Sequence, residues 1–259
     1  MKWYIIILII IPITFYTQEL IDTSNVEDEF ALYEKDKLSA SFFLKRRKAF
    51  RALMPDNSVA FIFSNPVRNR SNDVNYEYHQ DPNIYYLSGY EEPHSLLVIF
   101  KNTIELKGEV TNEIIFVQPR DESREIWDGK RLGVKGVEKL LKIKKAIRTE
   151  EFKDIDLHIE DFGSIHVIKP LDDVKDNIYN KEDLYSLMLQ FNAKLPFGRE
   201  STVDDSEITK WMAQLREIKT EDELVLMRKA IEITCEAHIE HMKYLKPGMK
   251  EYESEAVIE

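Results

Sequence analysis

Three short runs that are apolar from end to end constrain this chain more than any other feature. Ser58-Val59-Ala60-Phe61-Ile62-Phe63, Ser95-Leu96-Leu97-Val98-Ile99-Phe100 and Glu113-Ile114-Ile115-Phe116-Val117 are short and rich in β-branched and aromatic residues, which predicts strands. A strand with one wet face alternates polar and apolar residues; runs without alternation suit strands covered on both faces. Residues 165–168, just before Pro170, read as a further strand. Helical spacing over 137–147 and 182–195, and an amphipathic helix ending near Met54-Pro55, supply the covers. Strands mixed with helices make an α/β layer structure.

Within that first helix lie Lys45, Arg46, Arg47, Lys48 and Arg51, interleaved with Phe42, Phe43, Leu44, Phe50 and Leu53. The cluster reads as the solvated face of an amphipathic helix. The whole chain carries a net charge of −11, which argues against nucleic acid or an anionic membrane as partner, since phosphate binding needs clustered cations. With only eight glycines and no glycine-rich phosphate loop, a dinucleotide site is not expected.

Ahead of the fold stand Met1-Lys2 and an apolar run to Phe15, short for a membrane span. Residues 1–17 read as a secretory signal peptide, with an uncleaved membrane anchor as the alternative, and the acidic residues 18–36 as a tether. Export to a periplasmic or extracellular space follows, with no stable membrane partner after cleavage. A single cysteine, Cys235, excludes an intramolecular disulfide.

A second unit opens near residue 205. Thr220 and Glu223 have the spacing of a capping box. Leu224, Met227, Ile231, Thr234, His238, Met242 and Leu245 then follow on one face, until Pro247-Gly248 stops the helix. Another helix begins at Glu251. Cys235, His238, Glu240 and His241 on the long helix invite a metal reading, but from Cys235 to His241 the helix turns too far short of two turns for one face to hold them. Packing or surface roles are expected there.

The polar loop Arg70-Ser71-Asn72-Asp73-Val74-Asn75-Tyr76-Glu77-Tyr78-His79-Gln80-Asp81-Pro82-Asn83 leads into Ile84-Tyr85-Tyr86-Leu87-Ser88-Gly89-Tyr90-Glu91-Glu92-Pro93. On the residues alone it reads as a turn followed by a half-buried strand. His79 and His94 flank its second half and read as structural, or as contacts for a peptide. Downstream comes Asp121-Glu122-Ser123-Arg124-Glu125-Ile126-Trp127-Asp128-Gly129-Lys130-Arg131-Leu132-Gly133. These two stretches, in this order, resemble the two signatures of the aminopeptidase P (Xaa-Pro aminopeptidase) N-terminal domain. Arg216-Glu217-Ile218-Lys219 and Lys246-Pro247-Gly248-Met249-Lys250-Glu251 resemble the opening of the same family's catalytic "pita-bread" domain.

The resemblance implies a creatinase/prolidase-type N-terminal domain, with a mixed sheet and flanking helices, over residues 37–200. It implies the opening helices of an α+β pita-bread domain over 205–259, truncated. It implies an exported metallo-aminopeptidase that releases the residue before proline from peptides, acting as a homo-oligomer. Its two manganese ions would be held by two aspartates, a histidine and two glutamates beyond residue 259, so neither a metal ligand nor a catalytic residue is assigned here. Trp127 is the one site residue implied: in bacterial members the matching tryptophan reaches a neighbouring subunit's substrate pocket. From the residues alone, Trp127 sits in a loop and either anchors that loop to its own domain or reaches a partner. Two alternatives remain: another pita-bread relative such as a prolidase or creatinase-like hydrolase, and a non-catalytic protein-binding module.

Overall fold

The computed structural model describes residues 37–258, save 172, 176, 178, 197–202 and 205; the expected signal peptide and tether lie outside the described residues. In chain order the elements are α1 (Ala40–Leu53), β1 (Ser58–Phe63), β2 (Asn69–Ser71), β3 (Val74–Asn75), α2 (Pro82–Ser88), β4 (Leu96–Leu106), β5 (Glu109–Val117), α3 (Glu122–Asp128), α4 (Gly133–Leu141) and β6 (Ala146–Arg148). Two 3₁₀ turns, Thr149–Asp154 and Ile159–Asp161, lead to β7 (Ser164–Ile168), α5 (Leu184–Lys194), β8 (Val203–Asp204), α6 (Ser206–Glu217), α7 (Glu221–Tyr244) and α8 (Glu251–Ile258).

The expected strands meet in one mixed six-stranded sheet of order β6-β5-β4-β1-β7-β8. At its centre β1 runs antiparallel to β4 and parallel to β7. Because successive side chains point to opposite faces, each apolar run feeds two cores. Ala60, Ile62, Leu97, Ile99, Ile115 and Val117 pack against α1, α2 and α4. Val59, Phe61, Phe63, Val98, Phe100, Ile114 and Phe116 pack against α5 and the first 3₁₀ turn, with Phe61 on Phe191 and Phe116 on Phe152 at ring distances of 4.8 Å. Both faces are dry, which is why the runs do not alternate.

The helical spacing at 137–147 spans two elements: α4 ends at Leu141, Lys142 turns left-handed with φ 52°, and Ala146 and Ile147 join the sheet edge. The basic cluster of α1 is not all solvated. Arg47 lies four residues after Phe43 and three before Phe50, on the apolar stripe, and is 0% exposed. It makes a fork onto Glu113 (3.0 and 3.2 Å) and also donates to the carbonyls of Leu87 and Lys142 (2.9 and 3.0 Å). Arg51 adds a bond to Glu113 of 2.8 Å. A cation is tolerated there because every donor direction that matters is filled.

Grouped in the sequence with the second unit, α6 instead buries Ile208, Trp211 and Met212 in the α1 core, with Trp211 5.9 Å from Phe50 and 4.6 Å from His166. By contrast α7 buries nothing, although both halves of its capping box form: Glu223 N–H donates to Thr220 Oγ1 at 3.3 Å and Thr220 N–H to Glu223 Oε2 at 2.8 Å. Helices of this kind owe little to packing and open easily. The amides of α7 are therefore expected to exchange with solvent far faster than those of β1. Equal protection of the two in a hydrogen-exchange experiment would refute this picture of the tail.

Candidate functional site: a cleft between the two signature segments

The first signature is built by its own polar side chains. Asn69 Nδ2 donates to the carbonyls of Asn72 and Val74 (3.0 and 3.1 Å), closing the β2–β3 ribbon, whose tip residue Asn72 takes φ 51°. Asparagine suits that left-handed turn. Gln80 then pins the following loop: its Oε1 accepts from Tyr78 Oη and Asp81 N–H, both at 2.8 Å, and its Nε2 donates to the Glu92 carbonyl at 2.8 Å.

The half-buried strand expected next is the helix α2. Asp81 caps it by accepting from the N–H groups of Asn83 and Ile84 (2.8 and 3.1 Å), Pro82 fills the first turn, and Gly89 ends it with φ 72°. Asp-Pro before an apolar run and glycine after it is the start-and-stop asymmetry of helices, a signal that the tyrosine-rich composition outweighed.

Trp127 is likewise on a helix rather than in a loop. Asp121 caps α3 by accepting from Ser123 and Arg124 N–H (3.0 and 3.3 Å), and Arg120 forks onto Glu125 of the same helix (3.0 and 2.9 Å). The charged neighbours that suggested a loop are capping and bracing groups. Trp127 itself is 87% exposed, so it does not anchor α3 to its own domain. Ile126 beside it is exposed as well.

Between these segments and Lys175, Asn177, Tyr179 and Asp183 lies a cleft of about 660 Å³, with Trp127 at its rim and Tyr76, Tyr78, Glu92, His94 and Gln118 among its lining. His94, with φ 56°, accepts the Leu184 N–H at Nδ1 (3.0 Å). Burial pushes its pKa down to about 4, against the opposing pull of Asp183, so the ring is neutral at physiological pH. Burial also raises the Glu92 carboxyl above its ordinary range, against hydrogen bonds from Leu132 N–H (2.7 Å) and the Tyr90 hydroxyl (2.9 Å). The rim is cationic, with Arg124, Lys130, Arg131 and Lys175, of which Arg131 pairs with Asp128 at 3.3 Å. His94 thus lines the cleft, whereas His79 is exposed outside it, its carbonyl accepting from Asn65 Nδ2.

Among the described residues, the one grouping with metal-ligand spacing is Asp156, His158 and Glu160, all exposed and remote in sequence from the cleft. Three ligands on one surface loop do not make a bridged two-metal site, which needs carboxylates shared between ions. Cys235 is an exposed thiol, and His241 meets Ser254 of α8 at 3.0 Å.

Comparison with known proteins connects this geometry to a family. Residues 43–160 match the model described as the aminopeptidase P N-terminal domain. A Xaa-Pro aminopeptidase of Haemophilus influenzae is 31% identical over 226 residues, covering 86% of this chain and 47% of that protein. The Xaa-Pro aminopeptidase of Escherichia coli is 29% identical over 230 residues, covering 86% and 48%. The solved low-pH form of E. coli aminopeptidase P superposes with a TM-score of 0.66 at 27% identity, over 86% of this chain and 49% of that one. The chain spans about half the length of the curated relatives it matches.

Proposed function

We propose, from the premise that residues 43–160 are an aminopeptidase P N-terminal domain and the chain is the N-terminal part of an Xaa-Pro aminopeptidase, that it serves an exported metallo-aminopeptidase acting on peptides with proline in second position. Its part is to narrow access to the metal site and, in a homo-oligomer, to present Trp127 to a neighbouring subunit's substrate pocket. A bond before proline is a tertiary amide with no N–H and a fixed φ, so it fits poorly into sites that bind peptides as hydrogen-bonded strands. A dedicated pocket with restricted entry answers that problem. Metals of this family, manganese in this reading, would supply an activated water and stabilise the oxyanion; the described residues do not form such a centre, and no step is assigned to them.

The observation that carries the proposal is Trp127, a large indole held out in solvent by a capped helix beside a polar cleft. Exposed tryptophans of this kind serve contacts rather than folding. In the full-length protein, Trp127→Ala is expected to lower kcat/KM about tenfold for peptides longer than two residues. Its free energy of unfolding should change by no more than about 0.5 kcal/mol, because little surface is buried. An unchanged kcat/KM with a large loss of stability would overturn the assignment.

A further inference from the structure

The two carboxylates deep in the cleft are used inward: Glu92 accepts from Leu132 N–H and the Tyr90 hydroxyl, and Asp183 accepts from the N–H groups of Ser186 and Asn177 at 2.8 and 3.1 Å. At the rim Asp128 accepts from Arg131 at 3.3 Å. Two donors of the lining differ. Since His94 Nδ1 accepts the Leu184 N–H, the ring proton resides on Nε2, and His94 lines both this cleft and an adjoining cavity of about 450 Å³. Gln118, also in the lining, is only 2% exposed, and its Nε2 has no acceptor among the described residues. A buried amide donor left unmatched costs on the order of 1–3 kcal/mol, which an acceptor entering the cleft would return.

We propose that this cleft binds the carboxylate of a short peptide. His94 Nε2–H and the Gln118 amide take its oxygens, Lys175 supplies positive charge, and Trp127 and Tyr179 flank the peptide body. Two neutral donors beside a cation suit a planar, singly charged group better than a phosphate, whose higher charge calls for arginine forks. The low pKa of His94 means that the ring stays a single fixed donor rather than a second cation. The inference rests on the peptidase reading for the presence of short peptides, but not on any catalytic step.

Calorimetric titration of the full chain distinguishes the cases, with N-acetyl-Ala-Ala as the free acid, the same peptide as its C-terminal amide, N-acetyl-aspartate amide, and inorganic phosphate. The free acid is expected to bind with a Kd on the order of millimolar and the amide at least about tenfold more weakly. Binding of the aspartate compound as strongly as the acid would assign the site to acidic side chains in place of chain ends and overturn the inference. Equal binding of acid and amide, or phosphate binding as strongly as the acid, would overturn it too. His94→Asn, which tolerates the positive φ and keeps an acceptor toward Leu184 but lacks the distal donor, should weaken the acid about tenfold. If that variant fails to fold, the exposed Lys175→Ala decides: it should weaken the acid several-fold with stability unchanged, and wild-type affinity would contradict the proposal. Loss of carboxylate binding with peptidase activity of the full-length protein intact would overturn this inference alone.

Discussion

Glu113→Ala is expected to destabilise the fold by about 3–5 kcal/mol, because it strands the Arg47 guanidinium in a dry core. Glu113 is 0% exposed and receives both prongs of Arg47 and one of Arg51, with Lys144 N–H at 3.4 Å. Without it Arg47 keeps only the carbonyls of Leu87 and Lys142 as partners, too little to offset burial of a charge. The double replacement Glu113→Leu with Arg47→Met removes both charges at similar volume and should recover much of the loss. Urea denaturation measures both; a single-variant loss under about 1 kcal/mol would show that Arg47 finds water or another anion.

The same pair makes a pH-dependent contribution. Burial acts to raise the Glu113 pKa, but the Arg47 and Arg51 charges and their hydrogen bonds outweigh it, and the folded value lies below the ordinary carboxylate range. A depressed folded pKa gives stabilisation that is complete above the unfolded value and is lost as pH falls through the folded one. Wild-type stability should therefore drop on the acid side of the ordinary carboxylate range, and Glu113→Ala should lack that component.

Gly89→Ala is expected to cost about 2–4 kcal/mol from two sources. Gly89 closes α2 with φ 72°, and its N–H donates to the Tyr85 carbonyl at 2.7 Å. A methyl group there would stand 2.5 Å from Cε2 of Phe43. That ring is wedged edge-on against Phe42 and Tyr85 (5.3 and 5.7 Å between centroids) and has nowhere to go. Adding Phe43→Leu should relieve the clash but not the backbone strain, so only part of the loss returns. A single-variant change within about 0.5 kcal/mol would mean that the α1–α2 contact yields more easily than its packing suggests.

How much was legible in the sequence follows from which forces dominate where. The central strands were plain because hydrophobic burial on both faces leaves an unbroken apolar run, and the capping box at Thr220 because its two bonds depend on local spacing alone. The burial of Arg47 is not legible because charge usually means solvent, and its partner Glu113 is 66 residues away, where local periodicity cannot see it. The helix that carries Trp127 is hidden because its Asp and Glu residues have the composition of a loop, and the Arg120 fork onto Glu125 that braces them appears only in the fold. The cleft itself was not legible. Its donors come from α3, the residue after β5 and the loops before β4 and α5, and only the fold brings His94, Gln118 and Lys175 together.

The most direct test of the central claim is release of the first residue from Ala-Pro-Ala and from Ala-Ala-Ala, by the full-length protein and by the 259-residue chain, each with added manganese. Alanine should be released from the proline peptide by the full-length protein, far faster than from Ala-Ala-Ala and only with metal, while the 259-residue chain releases none. Metal-dependent release by the 259-residue chain, or indifference of the full-length protein to proline in second position, would contradict the account.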